Sequence, residues 1–134
     1  MSSVAPMDAS EVMAAYAGAW QRGEPEAAFA LYADDVTMRL PGRGSLAGEH
    51  HGRQAVIAAI EALLARTSGD AVEVTVIDRL VSEDRVALVV REAVHRGDER
   101  LELERVNLYR VVDGTITDIT IFEADQYEVD EFFG

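Results

Sequence analysis

The side chains of this chain that can do chemistry are few and restricted in type. There is no cysteine, and all twelve basic residues are arginine. That excludes thiolate nucleophiles, cysteine metal sites, a lysine Schiff base and the lysine of a phosphate loop. What remains is a set of polar groups on apolar stripes. Tyr16 shares a helical face with Val12 and Trp20. Asn107 alternates with Leu103, Arg105 and Tyr109, and Glu123 follows Ile119 and Ile121 on one strand face. Arg91 lies with Val89, Ala93 and His95 by the same alternation. A phenol or an amide can donate to a ligand oxygen. A carboxyl raised in pKa by burial can move a proton, and a guanidinium can hold a carboxylate.

Two further groups invite a site and are weaker. His50 and His51 are adjacent, so on an extended segment their side chains splay apart and one of them enters a pocket, as an acid or base at its mouth. Glu49 is beside them, but lone His95 is the remaining histidine, so no metal site is expected. Gly42-Arg43-Gly44 follows a strand, but the next helix begins only after His51. The loop therefore reads as a flexible connection at a pocket entrance, not a dinucleotide fingerprint, and no cofactor is expected.

The elements that must position these groups divide by period. Asp8 to Arg22 is an amphipathic helix, with Asp8 and Glu11 in capping-box spacing and Gly23 as its stop. Glu26 to Ala33 is a short second helix behind Pro25, with Phe29 and Tyr32 on its buried side. Val36, Met38 and Leu40 point one way along a strand. Pro41 to Gly48 is a glycine-rich loop, and Gln54 to Arg66 is a third helix with Val56, Ile60 and Leu63 on one face. Four strand-rich runs follow: 71–81, 85–96, 100–112 and 115–123. Ser82-Glu83-Asp84, Gly97-Asp98 and Asp113-Gly114 are the turns between them. Three helices and then a meander predict an α+β fold, a cone-shaped curved antiparallel sheet with the helices of the N-terminal half packed on its concave face. The interior of such a cone is a natural small-molecule pocket. Gln126 to Phe133 carries too many aromatics for a disordered tail and is expected to be ordered.

The chain of 134 residues fits one domain, with a core at 9–124 and a C-terminal segment at 125–134. Its net charge of −13 argues against nucleic acid and anionic membrane as partners. No apolar run is long enough to span a bilayer, and Met1 to Pro6 shows no signal sequence, so a cytoplasmic setting is expected. Both faces of Arg85–Val94 are apolar, which predicts a homodimer through the outer sheet face.

Several motifs in order carry a family resemblance. These are Tyr16, Gly23-Glu24-Pro25-Glu26-Ala27, Leu31-Tyr32-Ala33-Asp34-Asp35-Val36-Thr37, His51-Gly52-Arg53-Gln54-Ala55-Val56 and Tyr109-Arg110-Val111-Val112-Asp113-Gly114-Thr115-Ile116. Together they resemble the nuclear transport factor 2-like superfamily, most nearly its SnoaL-like and ketosteroid isomerase-like proteins. The resemblance implies a cystatin-like α+β barrel. It also implies that Tyr16 and Asn107 stand where isomerases polarise a substrate carbonyl, while Leu40 stands where they keep the aspartate base. Ile121 stands at the last-strand aspartate of the SnoaL-type cyclases. Arg91 and Ala93 fall at the arginine and aspartate of limonene-epoxide hydrolase-like proteins, in a hairpin whose register can slip by a residue.

On that register the pocket is lined by Tyr16, Trp20, Met38, Leu40, Arg91, Asn107, Ile119, Ile121 and Glu123, with His50 at its mouth. Glu123 is the one carboxylate in this set. The expected function is an isomerase-, cyclase- or epoxide hydrolase-like enzyme for a small apolar carbonyl- or epoxide-bearing molecule, with Tyr16, Asn107 and Glu123 as its catalytic groups and no usual aspartate base. The alternative is a non-catalytic binding or dimerisation domain of the same fold.

Overall fold

The computed structural model describes residues 6–65 and 73–133. The expected strand start at Ala71 and Val72, the end of the third helix at Arg66 and the N-terminal Met1 to Ala5 lie outside them. Helix α1 (Ala9–Gln21) begins as its sequence dictates. The Asp8 carboxylate accepts from the Glu11 backbone N–H at 2.8 Å, and the Glu11 side chain returns the bond to the Asp8 N–H at 3.2 Å. Val12, Met13, Tyr16 and Ala19 form its buried face.

Helix α2 (Pro25–Phe29) is shorter than its sequence suggests. Tyr32 to Asp35 belongs instead to β1 (Tyr32–Leu40), because Tyr32 pairs with Ile116 of the last strand. That pairing brings Tyr32 into the core, and the gain outweighs the local helix preference. A strand not expected from the pattern, β2 (Gly48–His51), pairs antiparallel with β1. Its sequence Gly-Glu-His-His has no apolar alternation, and only its partner makes it a strand. Helix α3 (Arg53–Ala65) follows and buries Val56 and Ala59.

The meander comprises β3 (Glu73–Val81), β4 (Arg85–Arg96), β5 (Glu99–Val112) and β6 (Thr115–Glu123). The β5–β6 turn has positive φ at both Asp113 (51°) and Gly114 (79°), the geometry that the Asp-Gly pair predicts. The strand order is β2-β1-β6-β5-β4-β3, and β1 runs parallel to β6, so the sheet is antiparallel except at that seam. Irregularities between Val76 and Asp78, Arg110 and Val111, and Tyr32 and Thr37 interrupt the ladders. Such bulges add local twist and bend, in keeping with the curved, unclosed form of this sheet.

Helices α1 and α3 cover one face of that sheet, α1 against β3, β4 and β5, and α3 against β1 and β2. The core between them contains Val12, Met13, Val36, Val56, Val86, Val90 and Ile116, all essentially without solvent contact. A short C-terminal helix, α4 (Gln126–Phe133), closes the described chain. No helix among the described residues is long and apolar enough to cross a membrane.

Candidate functional site

The face of β4 that meets the helices is set by alternation. Val86, Leu88 and Val90 are buried, and the same series continues to Glu92 and Val94. Register carries this across the sheet: Val90 opposes Arg105, and Arg105 opposes Glu123. Three charged side chains thus converge on one wall of an otherwise apolar interior. The Arg105 guanidinium lies between two carboxylates. Its Nη1 is 2.9 Å from Glu92 Oε2, its Nη2 donates to Glu123 Oε2 at 3.0 Å, and its Nε is 2.7 Å from Glu123 Oε1. The Nε contact is close but too bent for a hydrogen bond, so Glu123 Oε1 has a charge beside it and no aligned donor. The side chain of Glu123 is 3% exposed, against 16% for Glu92 and 17% for Arg105.

Burial pushes the Glu123 carboxyl above its ordinary value. Arg105 opposes that shift, while the charges of Glu92 and Asp130 add to it. Glu123 is therefore biased toward holding a proton, as a general acid must.

These residues border a cavity of about 510 Å³. Trp20, Met38, Leu40, Leu88, Ile119 and Ile121 give it apolar walls. Tyr16 and Tyr109 reach it from α1 and β5 with ring centroids 5.4 Å apart. The Tyr16 hydroxyl is 2.7 Å from that of Tyr32 behind it. Burial raises the pKa of all three phenols. They can donate hydrogen bonds but not serve as bases near neutrality. Asn107 also lines the cavity, and its buried Oδ1 has no hydrogen-bond partner.

Of the residues expected at the pocket, Tyr16, Trp20, Met38, Leu40, Asn107, Ile119, Ile121 and Glu123 all border this cavity. Arg91 does not. It opposes Glu104 on the outer face, and its Nη2 donates to Glu104 Oε1 at 2.9 Å from a side chain that is 57% exposed. The hairpin register is one residue from the one expected, so Glu92 occupies the inward position. His50 also lies outside the lining. Its Nε2 donates to the Leu46 carbonyl at 2.7 Å, pinning the loop that does border the cavity. His51 is exposed beside Glu49. No cluster of metal-ligating side chains occurs among the described residues.

Residues of α4 and of the glycine-rich loop also border the cavity. Gln126, Val129 and Asp130 border the cavity, and Val129 also packs on Val94, Leu101 and Leu103. Asp130 Oδ1 accepts from Gln126 Nε2 at 2.9 Å and from the Arg43 backbone N–H at 3.2 Å. This latch requires Gly42, whose φ is +97° and whose absent Cβ would collide with Gln126 and Asp130. Gly42→Ala should cost about 1–3 kcal/mol in backbone strain and release α4. A lower melting temperature with faster amide exchange confined to 126–133 would confirm this, and unchanged exchange there would refute it.

A SnoaL-like domain model matches residues 12–119. The chain belongs to the SnoaL-like domain family. Solved structures agree with this SnoaL-like fold. Bal32a, from a soil-derived mobile gene cassette, is 26% identical, with a TM-score of 0.85 over 93% of this chain and 95% of that one. A protein with a cystatin-like fold from Xanthomonas campestris is 25% identical, with a TM-score of 0.83 over 96% and 99%. A putative SnoaL-like polyketide cyclase from Mesorhizobium loti is 23% identical, with a TM-score of 0.73 over 87% and 99%. No curated protein matches the chain.

In this SnoaL-like domain the sequence pattern did not disclose Glu92 as an interior carboxylate, Arg105 as the bridge, or Gln126 and Asp130 in the lining. The signal for Glu92 was present: the buried series Val86, Leu88 and Val90 points directly at it. Asp130 had no such signal, because its place depends on how α4 folds back.

Proposed function

We propose that this domain is a general acid–base catalyst of the isomerase or cyclase kind, lacking the usual aspartate base, for a small, largely apolar molecule with a carbonyl or epoxide oxygen. The observation that carries this reading is the buried Glu92–Arg105–Glu123 group on the wall of an apolar cavity. Glu123 gives a proton to the ligand oxygen. Glu92, held by Arg105, takes one from carbon or from an attacking water. In an isomerisation Glu92 then delivers its proton to the new carbon while Glu123 takes its own back from the enol oxygen; after attack by water the two carboxyls return to their starting states by exchanging a proton through solvent. Arg105 fixes both carboxyls and limits the charge left on them. Tyr16 and Asn107 orient the oxygen-bearing end, and Trp20, Met38, Leu40, Ile119 and Ile121 hold the apolar remainder. Membership in a family whose structural neighbours include a putative polyketide cyclase supports the class of chemistry.

The test is a panel of small cyclic epoxides and β,γ-unsaturated ketones, with products identified by mass spectrometry. Turnover that disappears in Glu123→Gln supports the reading. Binding without turnover by the wild-type protein would replace it with the binding-domain alternative, which is favoured by Leu40 and Ile121 standing where the family resemblance implies carboxylates.

A second copy of the chain is the proposed occupant of the outer sheet face. Phe122 is 52% exposed there, opposite Val106, which in turn opposes Val89. Exposed Leu80 continues the stripe opposite Ala87. Light scattering after size exclusion should give a dimer for the wild type and a monomer for Phe122→Glu. A monomeric wild-type protein would overturn this assembly.

A further inference from the structure

The cavity lining is buried or half-buried except at Gln21 of α1, Leu64 near the end of α3, and Val74 and Val76 of β3, which are exposed to solvent. These side chains mark where the cavity meets water. Apart from Gln21 they are aliphatic, with 38% of Leu64, 46% of Val74 and 38% of Val76 uncovered. Exposed apolar residues scattered singly need no explanation, but these gather at one rim and continue the apolar walls within. β3 is also an end strand of the sheet, where polar or charged side chains ordinarily guard the edge. At the rim its inward positions carry valine instead.

Register sets this rim apart from the reacting groups. Glu123 opposes Arg105, Arg105 opposes Val90, and Val90 opposes Val76. One row of inward side chains thus runs from the carboxyl on β6 to the rim on β3, across three strand spacings, roughly 14 Å. Buried Leu88 and Val90 give the rim end of that path an apolar floor. A compact ligand with its oxygen at Glu123 would stop short of Val76 and leave the rim in water. A ligand with an apolar extension would cover it. Gln21, Leu64, Val74 and Val76 offer no charge to receive a charged end and no aromatic ring to stack on, and Glu92, opposite Val74, is held by Arg105. The extension that fits is an uncharged aliphatic chain.

We infer that the molecule bound here is an amphiphile, with its carbonyl or epoxide oxygen at the Glu92–Arg105–Glu123 wall and an unbranched alkyl chain that leaves the cavity between Leu64, Val74 and Val76. This rests on the cavity being the ligand site of the function proposed above, and it specifies the substrate class of that site. The chain length of the ligand is then read by the rim, not by the reacting groups.

A series of straight-chain methyl ketones from 2-butanone to 2-decanone, titrated into the full chain, tests the inference, with camphor as a compact ketone of the same carbon number as 2-decanone. Binding is read by calorimetry and by the fluorescence of Trp20, which lines the cavity and is the single tryptophan of the sequence. Each methylene up to the rim should tighten binding about three- to fourfold, as for a buried CH₂, and 2-decanone should bind more tightly than camphor. A charge at the rim should remove the later gains. Val76→Asp and Leu64→Glu, at exposed positions of two different elements, should each cut the affinity ratio of 2-decanone to 2-hexanone several-fold. The inference is overturned if affinity stops rising at 2-hexanone, if camphor binds best, or if neither variant lowers the ratio. It is also overturned if Val76→Asp turns a dimer into a monomer with the ratio unchanged, since a second copy of the chain then covers the rim. Binding is measured without turnover. A steep series with no turnover would keep this inference and remove the catalytic reading, and a flat series with Glu123-dependent turnover would do the reverse.

Discussion

Arg105→Met should lower stability by about 3–5 kcal/mol at neutral pH, the usual range when one partner of a buried ionic group is removed. Methionine fills similar volume, so the loss is electrostatic more than steric. Glu92 and Glu123 would then be left together on one wall of an apolar cavity with nothing to offset either charge. For a domain whose total stability is on the order of 5–15 kcal/mol, that is a large fraction. The loss should shrink on acidification, as the carboxyls take up protons and cease to repel. Adding Glu92→Gln and Glu123→Gln to Arg105→Met should restore much of it at neutral pH. Urea unfolding at pH 7 and pH 4.5 reads both effects. A loss equal at the two pH values would mean that Arg105 matters through packing alone.

How far the sequence disclosed this wall follows from which forces set it. The helix stripe of Val12, Tyr16 and Trp20, the capping box at Asp8 and the Asp113-Gly114 turn are local signals, and each sits where its pattern placed it. The order of elements, and with it the α+β fold, followed from those signals. The site needed more, because its members come from three strands and their meeting depends on register. A slip of one residue exchanges the inward and outward faces of a strand. That is the difference between Arg91, which pairs with Glu104 outside, and Glu92, which pairs with Arg105 inside. Counting from family motifs gave the first. Extending the apolar series of β4 itself gives the second. The strand β2 and the place of Asp130 against the glycine-rich loop lay beyond any local pattern, since both are made by contacts distant in sequence. The excess of acid reads differently once placed. Most of the charge is external, but Glu92 and Glu123 put part of it against the cavity.

Glu123→Gln should separate catalysis from stability. If Glu123 supplies the proton, kcat/KM on a productive substrate should fall by about 10²–10⁴-fold, the usual contribution of a positioned acid or base. Stability at neutral pH should move the other way, by about 1 kcal/mol in favour of the variant, because a buried carboxyl is replaced by an amide of the same shape and Arg105 retains Glu92. The sign follows from the direction of the shift. Burial raises the Glu123 pKa in the folded chain above its unfolded value, so the native state holds the proton to higher pH. The folded wild type is favoured fully below the ordinary glutamate range and loses that contribution as pH rises through the raised value. The variant's advantage should therefore be absent below the ordinary glutamate range and grow as pH rises through the raised value. Wild-type activity should decline over the same interval as the acid ionises, a limb absent from whatever activity the variant keeps. Melting temperatures and rates measured on the same pH series decide the point. A variant less stable than wild type at pH 8 would make Glu123 a structural partner of Arg105. A variant both more stable and inactive is the outcome expected of a carboxyl held at a cost in stability for its proton.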